Sequence, residues 1–252
     1  METSDDAVLG GRLVVRQPLK GHRVGHDAIL LAAATGGRAG ERAVELGAGV
    51  GAAGLALARR VAGLDVTLVE VDPALCALAA HNIEGNGLAG RTRAMAADVE
   101  DADALAAAGL VSGAADRVLM NPPFNDVARH NVSPDAQRRR AHVAAPGLLR
   151  GWVNCAARLL KPGGVLTLIW RADAAEEVLD ALRGAFGDVV ALPVLPRPDA
   201  LPIRILVRAV KGGSATMQTL PALALNDSSG RPSAAAEAVL RGGDVLPIAT
   251  FA

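Results

Sequence analysis

The sequence predicts an α/β fold, a doubly wound and mostly parallel sheet with helices on both faces. Three observations carry this expectation. From about Ala43 onward, short β-rich runs alternate with helical runs, and that alternation needs crossover connections, which make neighbouring strands parallel. A glycine-rich turn follows the first of those β-rich runs. Of the 252 residues, 51% are apolar, enough to fill one substantial core rather than several.

The candidate strands are Ala43 to Leu46, Val66 to Val71, Thr92 to Ala97, Arg117 to Met120, Val165 to Trp170, Val189 to Leu195 and Ile203 to Ala209. Asp72 and Pro73 suit the cap and first position of a helix, and Asn86-Gly87 supplies its left-handed stop. Lys161-Pro162-Gly163-Gly164 ends the helical run Leu148 to Leu160, because proline cannot continue a helix and glycine can reverse the chain. A strand is expected to start at Val165. Upstream of the core, Leu13-Val14-Val15 and Gly21 to Gly25 suggest a small hairpin, followed by an apolar helix from Asp27 to Ala34. Downstream, a short strand around Ala222 to Leu225, a turn at Asn226 to Gly230 and a helix from Ser233 to Leu240 form a tail. One domain is expected, with an extension over residues 1–40, a ligand-binding core over 41–211 and a tail over 212–252. Neither flank has enough apolar sequence to fold alone.

Charge narrows the partners. Lys plus Arg number 26 against 26 Asp plus Glu, which excludes a histone-like polycation, so any nucleic-acid site must be a local patch. Cys76 and Cys155 share no CxxC or Cys/His spacing, and the five histidines show none either, so neither a disulfide scaffold nor a metal site is expected. The start is acidic, and no apolar stretch approaches the roughly 18 residues of a membrane span. A soluble, cytoplasmic protein is the expectation.

Glu45-Leu46-Gly47-Ala48-Gly49-Val50-Gly51 stands where a buried strand turns into a helix. Glycine lets the backbone bend sharply there and approach a ligand with no side chain between. Gly49 to Gly54 also satisfies GxGxxG, the dinucleotide fingerprint, so the loop alone does not choose between NAD and a sulfonium cofactor. A plain strand-to-helix turn would use the same residues. Glu70 closes the next strand, where a carboxylate can accept both hydroxyl hydrogens of a ribose. Asp98 ends the third strand; it suits an adenine amine or, equally, the cap of a helix over Asp101 to Ala108.

Asn121-Pro122-Pro123-Phe124 begins at the carboxyl end of the fourth candidate strand. Two prolines fix φ and remove two backbone donors, leaving the Asn121 side-chain carbonyl and the Pro122 backbone carbonyl as acceptors beside an aromatic ring. A conjugated NH2 group is a poor nucleophile because its lone pair is delocalised. Two acceptors pulling on its hydrogens favour a pyramidal nitrogen with a localised pair, and Phe124 can stack on the base that carries it. The bland alternative is a rigid loop with Asn121 as a turn former.

In this order and spacing, Glu45 to Gly51, Glu70, Asp98 and Asn121 to Phe124 resemble the class I S-adenosylmethionine-dependent methyltransferases that act on amino groups. Gly10-Gly11-Arg12-Leu13, Arg16-Gln17-Pro18 and Gly25 to Leu31, with Gly230-Arg231-Pro232 and Ala236-Glu237-Ala238 in the tail, resemble the bacterial tRNA-valine adenine-amino methyltransferases and their relatives. That resemblance implies a seven-stranded sheet with S-adenosyl-L-methionine as cofactor. It places Glu45 in the cofactor loop, Gly47, Gly49 and Gly51 along the methionine end, Glu70 at the ribose, Asp98 at the adenine, and Asn121, Pro122 and Phe124 around the target base. One departure is His26, where relatives usually carry Thr.

The implied substrate is an adenine amine in tRNA. The same loop chemistry also suits a guanine amine of ribosomal RNA or a glutamine amide of a protein, and a noncatalytic cofactor-binding module or an NAD-dependent oxidoreductase stays open. Two basic stretches suit RNA phosphates. Asn121 to His142 carries Arg129, Arg138, Arg139 and Arg140 against two Asp, and Arg12 to Asp27 carries three Arg and one Lys against one Asp. A solvated charge run is the plain reading of both.

Overall fold

The structure is a computed structural model that describes residues 1–21, 23–123 and 147–250. Its first two strands, β1 (Thr3–Val8) and β2 (Leu13–Pro18), pair antiparallel, with Thr3 opposite Pro18 and Val8 opposite Leu13. The expected hairpin therefore exists with a different partner. Its second arm is the acidic start of the chain rather than Gly21 to Gly25, which lead into α1 (His26–Ala34). Cross-strand charge explains the choice: Asp5 meets Arg16 at 2.7 Å across the pair, and Asp6 meets Arg23 at 2.6 Å.

The main sheet begins with β3 (Arg42–Leu46), β4 (Asp65–Glu70) and β5 (Thr92–Ala96), each parallel to the last and joined through α2 (Ala52–Arg60) and α3 (Pro73–Gly85). After α4 (Ala102–Ala107) the chain returns to the other side of β3 as β6 (Ala115–Met120). It continues outward through α5 (Leu148–Leu159), β7 (Leu160–Arg171) and α6 (Ala175–Leu182). The winding reverses between β3 and β6, and the carboxyl edge at such a reversal is where sheets of this kind bind ligands.

Beyond β7, β8 (Phe186–Leu195) takes the far position and β9 (Arg204–Lys211) inserts antiparallel between the two. The seven expected strands are all present. Two strands of two residues each, β10 (Gln218–Thr219) and β11 (Leu223–Ala224), add to β8 and bring the sheet to nine.

Each sheet face has its own core. Ile29 to Ala34, Leu55, Leu57, Ala79 and Ile83 fill one face with Leu246 and Ile248 of the tail; Leu105, Trp152, Val153, Leu159, Val178 and Leu182 fill the other. Helices on both faces explain why β3, β4 and β6 are buried along most of their length.

Local chemistry sets the boundaries. The Asp72 carboxylate accepts from the amides of Ala74 and Leu75, capping α3 with Pro73 as its first residue. The strand expected at Val165 starts five residues earlier. Leu160 pairs with Ala115 and Val165 with Arg117, so Lys161 to Gly164 form an irregularity inside β7 rather than a separate turn. In the tail, Ser233 caps α7 (Ala234–Glu237), which passes into a π turn over Ala238–Gly242. Arg60 of α2 donates to the carbonyls of Ile29, Val239 and Gly243, fastening that turn to α1; burial lowers its pKa to about 10.

Candidate active site

Strand register brings the predicted residues together. Leu46 lies between Met120 on one side and Val69 on the other, and Val69 lies opposite Met95. One residue further along each strand stand Asn121, Gly47, Glu70 and Ala96, side by side across the carboxyl edge. At a strand spacing of about 4.8 Å, Asn121 and Glu70 are about 10 Å apart with Gly47 between them. Asn121 and Gly47 flank the point where the winding reverses.

The three glycines have different reasons to be glycine. All have positive φ: 66° at Gly47, 56° at Gly49 and 88° at Gly51. A Cβ on Gly47 would collide with the Trp152 ring, and one on Gly51 would stand 2.7 Å from Leu68 Cδ1. A Cβ on Gly49 would meet nothing within 4 Å. Packing thus closes the loop at both ends, and its middle faces open space.

Two carboxylates hold this loop. Glu70 Oε2 accepts from the Gly49 amide at 2.7 Å and Oε1 from the Asp72 amide at 2.9 Å, so each oxygen keeps a lone pair for a further donor. Glu45 lies behind the loop, where its Oε2 accepts from the Gly54 amide at 2.7 Å at the start of α2. Burial pushes the Glu45 carboxyl up to about 8; the Gly54 bond opposes that rise and the nearby Glu70 charge adds to it.

Asp98 is two residues beyond Ala96. Its Oδ1 accepts from the Glu100 amide at 2.9 Å, and Oδ2 accepts from no donor among the described residues. The cap of α4 is Asp101, which accepts from Asp103 and Ala104, so the cap role weighed for Asp98 is corrected.

Asn121 Oδ1 is buried and has no hydrogen-bond partner among the described residues. Leaving such an acceptor unpaired costs about 1–3 kcal/mol, so it calls for an explanation. Pro122, next to it, is buried. Phe124, Arg129, Arg138, Arg139 and Arg140 lie outside the described residues. Within the basic N-terminal stretch, Arg16 and Arg23 pair with Asp5 and Asp6. His26 is the exposed first residue of α1.

Trp152 is buried, and its ring lies against Gly47, a contact that no local sequence signal announces. Gly54 was visible in the GxGxxG pattern, yet its close approach to Glu45 and Leu68 was not. A cavity of about 420 Å³ at the opposite, amino edge of the sheet includes Arg42, Asp65, Arg91 and Arg93. It has none of these predicted residues, and Arg91 is already spent on the carbonyls of Ala58, Val61 and Leu64.

A site with an open glycine turn, spare carboxylate lone pairs and an orphaned amide oxygen fits a nucleoside ligand beside an NH2 group. Comparison with known proteins then decides between the chemistries the loop left open. The model of the methyltransferase small domain matches residues 26–193, well over half of the chain. The chain belongs to that methyltransferase family. Its methyl donor is S-adenosylmethionine, which resolves the ambiguity of the glycine pattern against NAD.

Among relatives, this methyltransferase is 28% identical to a tRNA1(Val) (adenine(37)-N6)-methyltransferase of Dickeya chrysanthemi, over 87% of this chain and 86% of that one. It is 32% identical to a release factor glutamine methyltransferase of Chlorobaculum tepidum, but there the match spans 58% of this chain and 51% of the relative. Among solved structures, a protein of Agrobacterium tumefaciens described as a predicted O-methyltransferase superposes with a TM-score of 0.73 at 29% identity, covering 87% of this chain and 97% of the other. Among the described residues, no helix is long and apolar enough to cross a membrane.

Proposed function

We propose that this methyltransferase methylates the exocyclic amine of an adenine in tRNA, of the tRNA-valine type. The observation that carries the reading is Asn121 Oδ1, a buried acceptor without a partner at the point where the sheet reverses. S-adenosylmethionine supplies an electrophilic methyl group on a sulfonium. Asn121 Oδ1 and the Pro122 carbonyl would accept hydrogen bonds from the two amine hydrogens, so that the nitrogen pyramidalises with its lone pair towards that methyl, whose bond to sulfur would break as the bond to nitrogen forms. Phe124, by its place in the motif, stacks on the base; an adenine within a stacked helix must first be unstacked. No general base is needed, since the nitrogen becomes acidic once the methyl has arrived and sheds its proton afterwards.

Glu70 is assigned to the ribose hydroxyls, Asp98 to the adenine amine of the cofactor, and Gly47, Gly49 and Gly51 to its methionine end. Glu45 supports the loop from behind through Gly54. Arg129 and Arg138 to Arg140 are assigned to RNA phosphates. Support for RNA comes from the extent of similarity, because the match to the Dickeya enzyme reaches into both flanks of the core.

A second reading, methylation of a glutamine amide in a protein, is favoured by the Chlorobaculum relative, a glutamine methyltransferase whose target amide carries a conjugated NH2. One experiment separates them. Labelled methyl groups are transferred into total tRNA, ribosomal RNA and protein from a strain lacking this chain, and the products are resolved by nucleoside mass spectrometry. Label in tRNA as N6-methyladenine is expected; label confined to protein or ribosomal RNA refutes the tRNA assignment.

A further inference from the structure

We propose that Asn82 is a positioning residue through which the N-terminal hairpin holds the glycine loop in its cofactor-binding shape. Asn82 is 2% exposed and lies on α3, the helix that follows the Glu70 strand. Its Nδ2 donates to two carbonyls, Val50 in the glycine loop and Arg16 in β2, each at 3.0 Å, while its Oδ1 accepts from the Arg16 amide at 2.7 Å. Both of its donor hydrogens are used, one on each side of the bridge.

Asn86, four residues on, repeats the hairpin half of the pattern. It accepts from the Val14 amide at 3.0 Å and donates to the Val14 carbonyl at 2.7 Å, with no bond to the loop. Four residues of helix rise about 6 Å and two residues of strand about 6.7 Å, so the two side chains match the outward-facing groups of Val14 and Arg16 and cover the open edge of β2.

The loop is thereby held at neighbouring points from one β4–α3 unit. Glu70 takes the Gly49 amide hydrogen and Asn82 meets the Val50 carbonyl. Fixing both groups keeps the three positive-φ glycines in a single conformation before a ligand arrives, which lowers the ordering cost of binding. The inference concerns cofactor binding and stands whatever the methyl acceptor is.

The test compares Asn82→Ala with Asn86→Ala by calorimetric titration with S-adenosylmethionine, by hydrogen exchange at the loop amides and by thermal unfolding. Both variants are expected to lower Tm. Asn82→Ala should weaken cofactor binding about tenfold, the scale of one lost buried hydrogen bond, and speed exchange at Gly49 and Gly51. Asn86→Ala should leave Kd within twofold. Equal affinity losses in the two variants, or parental affinity in Asn82→Ala, would overturn the proposal. If Asn82→Ala does not fold, Asn82→Ser, whose hydroxyl donates to only one carbonyl, takes its place under the same criteria.

Discussion

Glu45 makes the stability of this fold depend on pH in a direction opposite to that of an ordinary surface carboxylate. Its side chain is buried, and that burial pushes its carboxyl up to about 8, against 4.5 for a free glutamate. Between those two values the folded chain keeps a proton that the unfolded chain has released. Stability from this group is therefore full below pH 4.5 and is lost as pH rises towards 8. At about 1.4 kcal/mol per pH unit, the loss between pH 5 and 8 amounts to about 4 kcal/mol. Glu45→Gln keeps the side-chain volume, and its amide oxygen can still accept from the Gly54 amide, but it cannot ionise. Urea unfolding of both proteins at a series of pH values isolates the effect, since titrating groups that do not interact with Glu45 cancel in the difference; Glu70, whose charge adds to the Glu45 shift, belongs to the measured effect. The variant should match its parent near pH 5 and exceed it by several kcal/mol at pH 8. Parallel stability curves would show that Glu45 ionises freely and that the enclosure behind the glycine loop is wrong.

The remaining expectations concern the site directly. Asn121→Ala should retain S-adenosylmethionine affinity in calorimetry while kcat falls about a hundredfold or more, the scale seen when one preorganised polar contact to a transition state is removed. Glu70→Ala should do the reverse and chiefly raise the cofactor Kd; equal losses of cofactor affinity in the two variants would contradict the division of roles. Gly51→Ala places a Cβ 2.7 Å from Leu68 Cδ1 at a φ of 88°, so a loss of about 1–3 kcal/mol in chemical denaturation is expected. Replacing Arg138, Arg139 and Arg140 together by Gln should weaken tRNA binding and flatten its salt dependence, with cofactor binding unchanged; an unaltered salt slope would remove these arginines from the RNA contact.

The sheet was legible because its signals are local. Each of β3 to β9 contains a short apolar run, and alternation with helices fixes the parallel winding of β3 to β7. The site was legible for a related reason: in a parallel sheet every carboxyl end falls on one edge, so Asn121, Gly47 and Glu70 had to be neighbours once their strands were found. What escaped depends on contacts between distant segments. The pairing of β1 with β2 turns on Asp5 and Asp6 finding Arg16 and Arg23, and no periodicity announces that. Asn82 and Asn86 are visible as an i, i+4 pair on a helix, yet nothing in that spacing names a strand edge as their partner. Trp152 was legible as core, but its placement on Gly47 depends on how α5 crosses the sheet, a tertiary fact.

The same register that gathers the site also exposes it to error, because slipping one strand by one residue would turn Asn121 to the other face and move it about 3.3 Å. Here the register is pinned from the opposite end. Arg117 of β6 forms a two-point pair with Glu41, the residue before β3, at 3.0 Å through both Nε and Nη2, and both side chains are largely buried. Asp116 beside it accepts from the Arg42 amide at 2.8 Å and from Lys161 Nζ, joining β6 to β3 and to β7. Each contact has a partner offset that fits only one alignment of the strands. Charges at the amino edge thereby fix where Asn121 stands relative to the glycine loop. The spacing of Asn121 from the glycine loop at the carboxyl edge follows from side chains about five residues away, transmitted through strands whose side chains are apolar and close-packed on both faces.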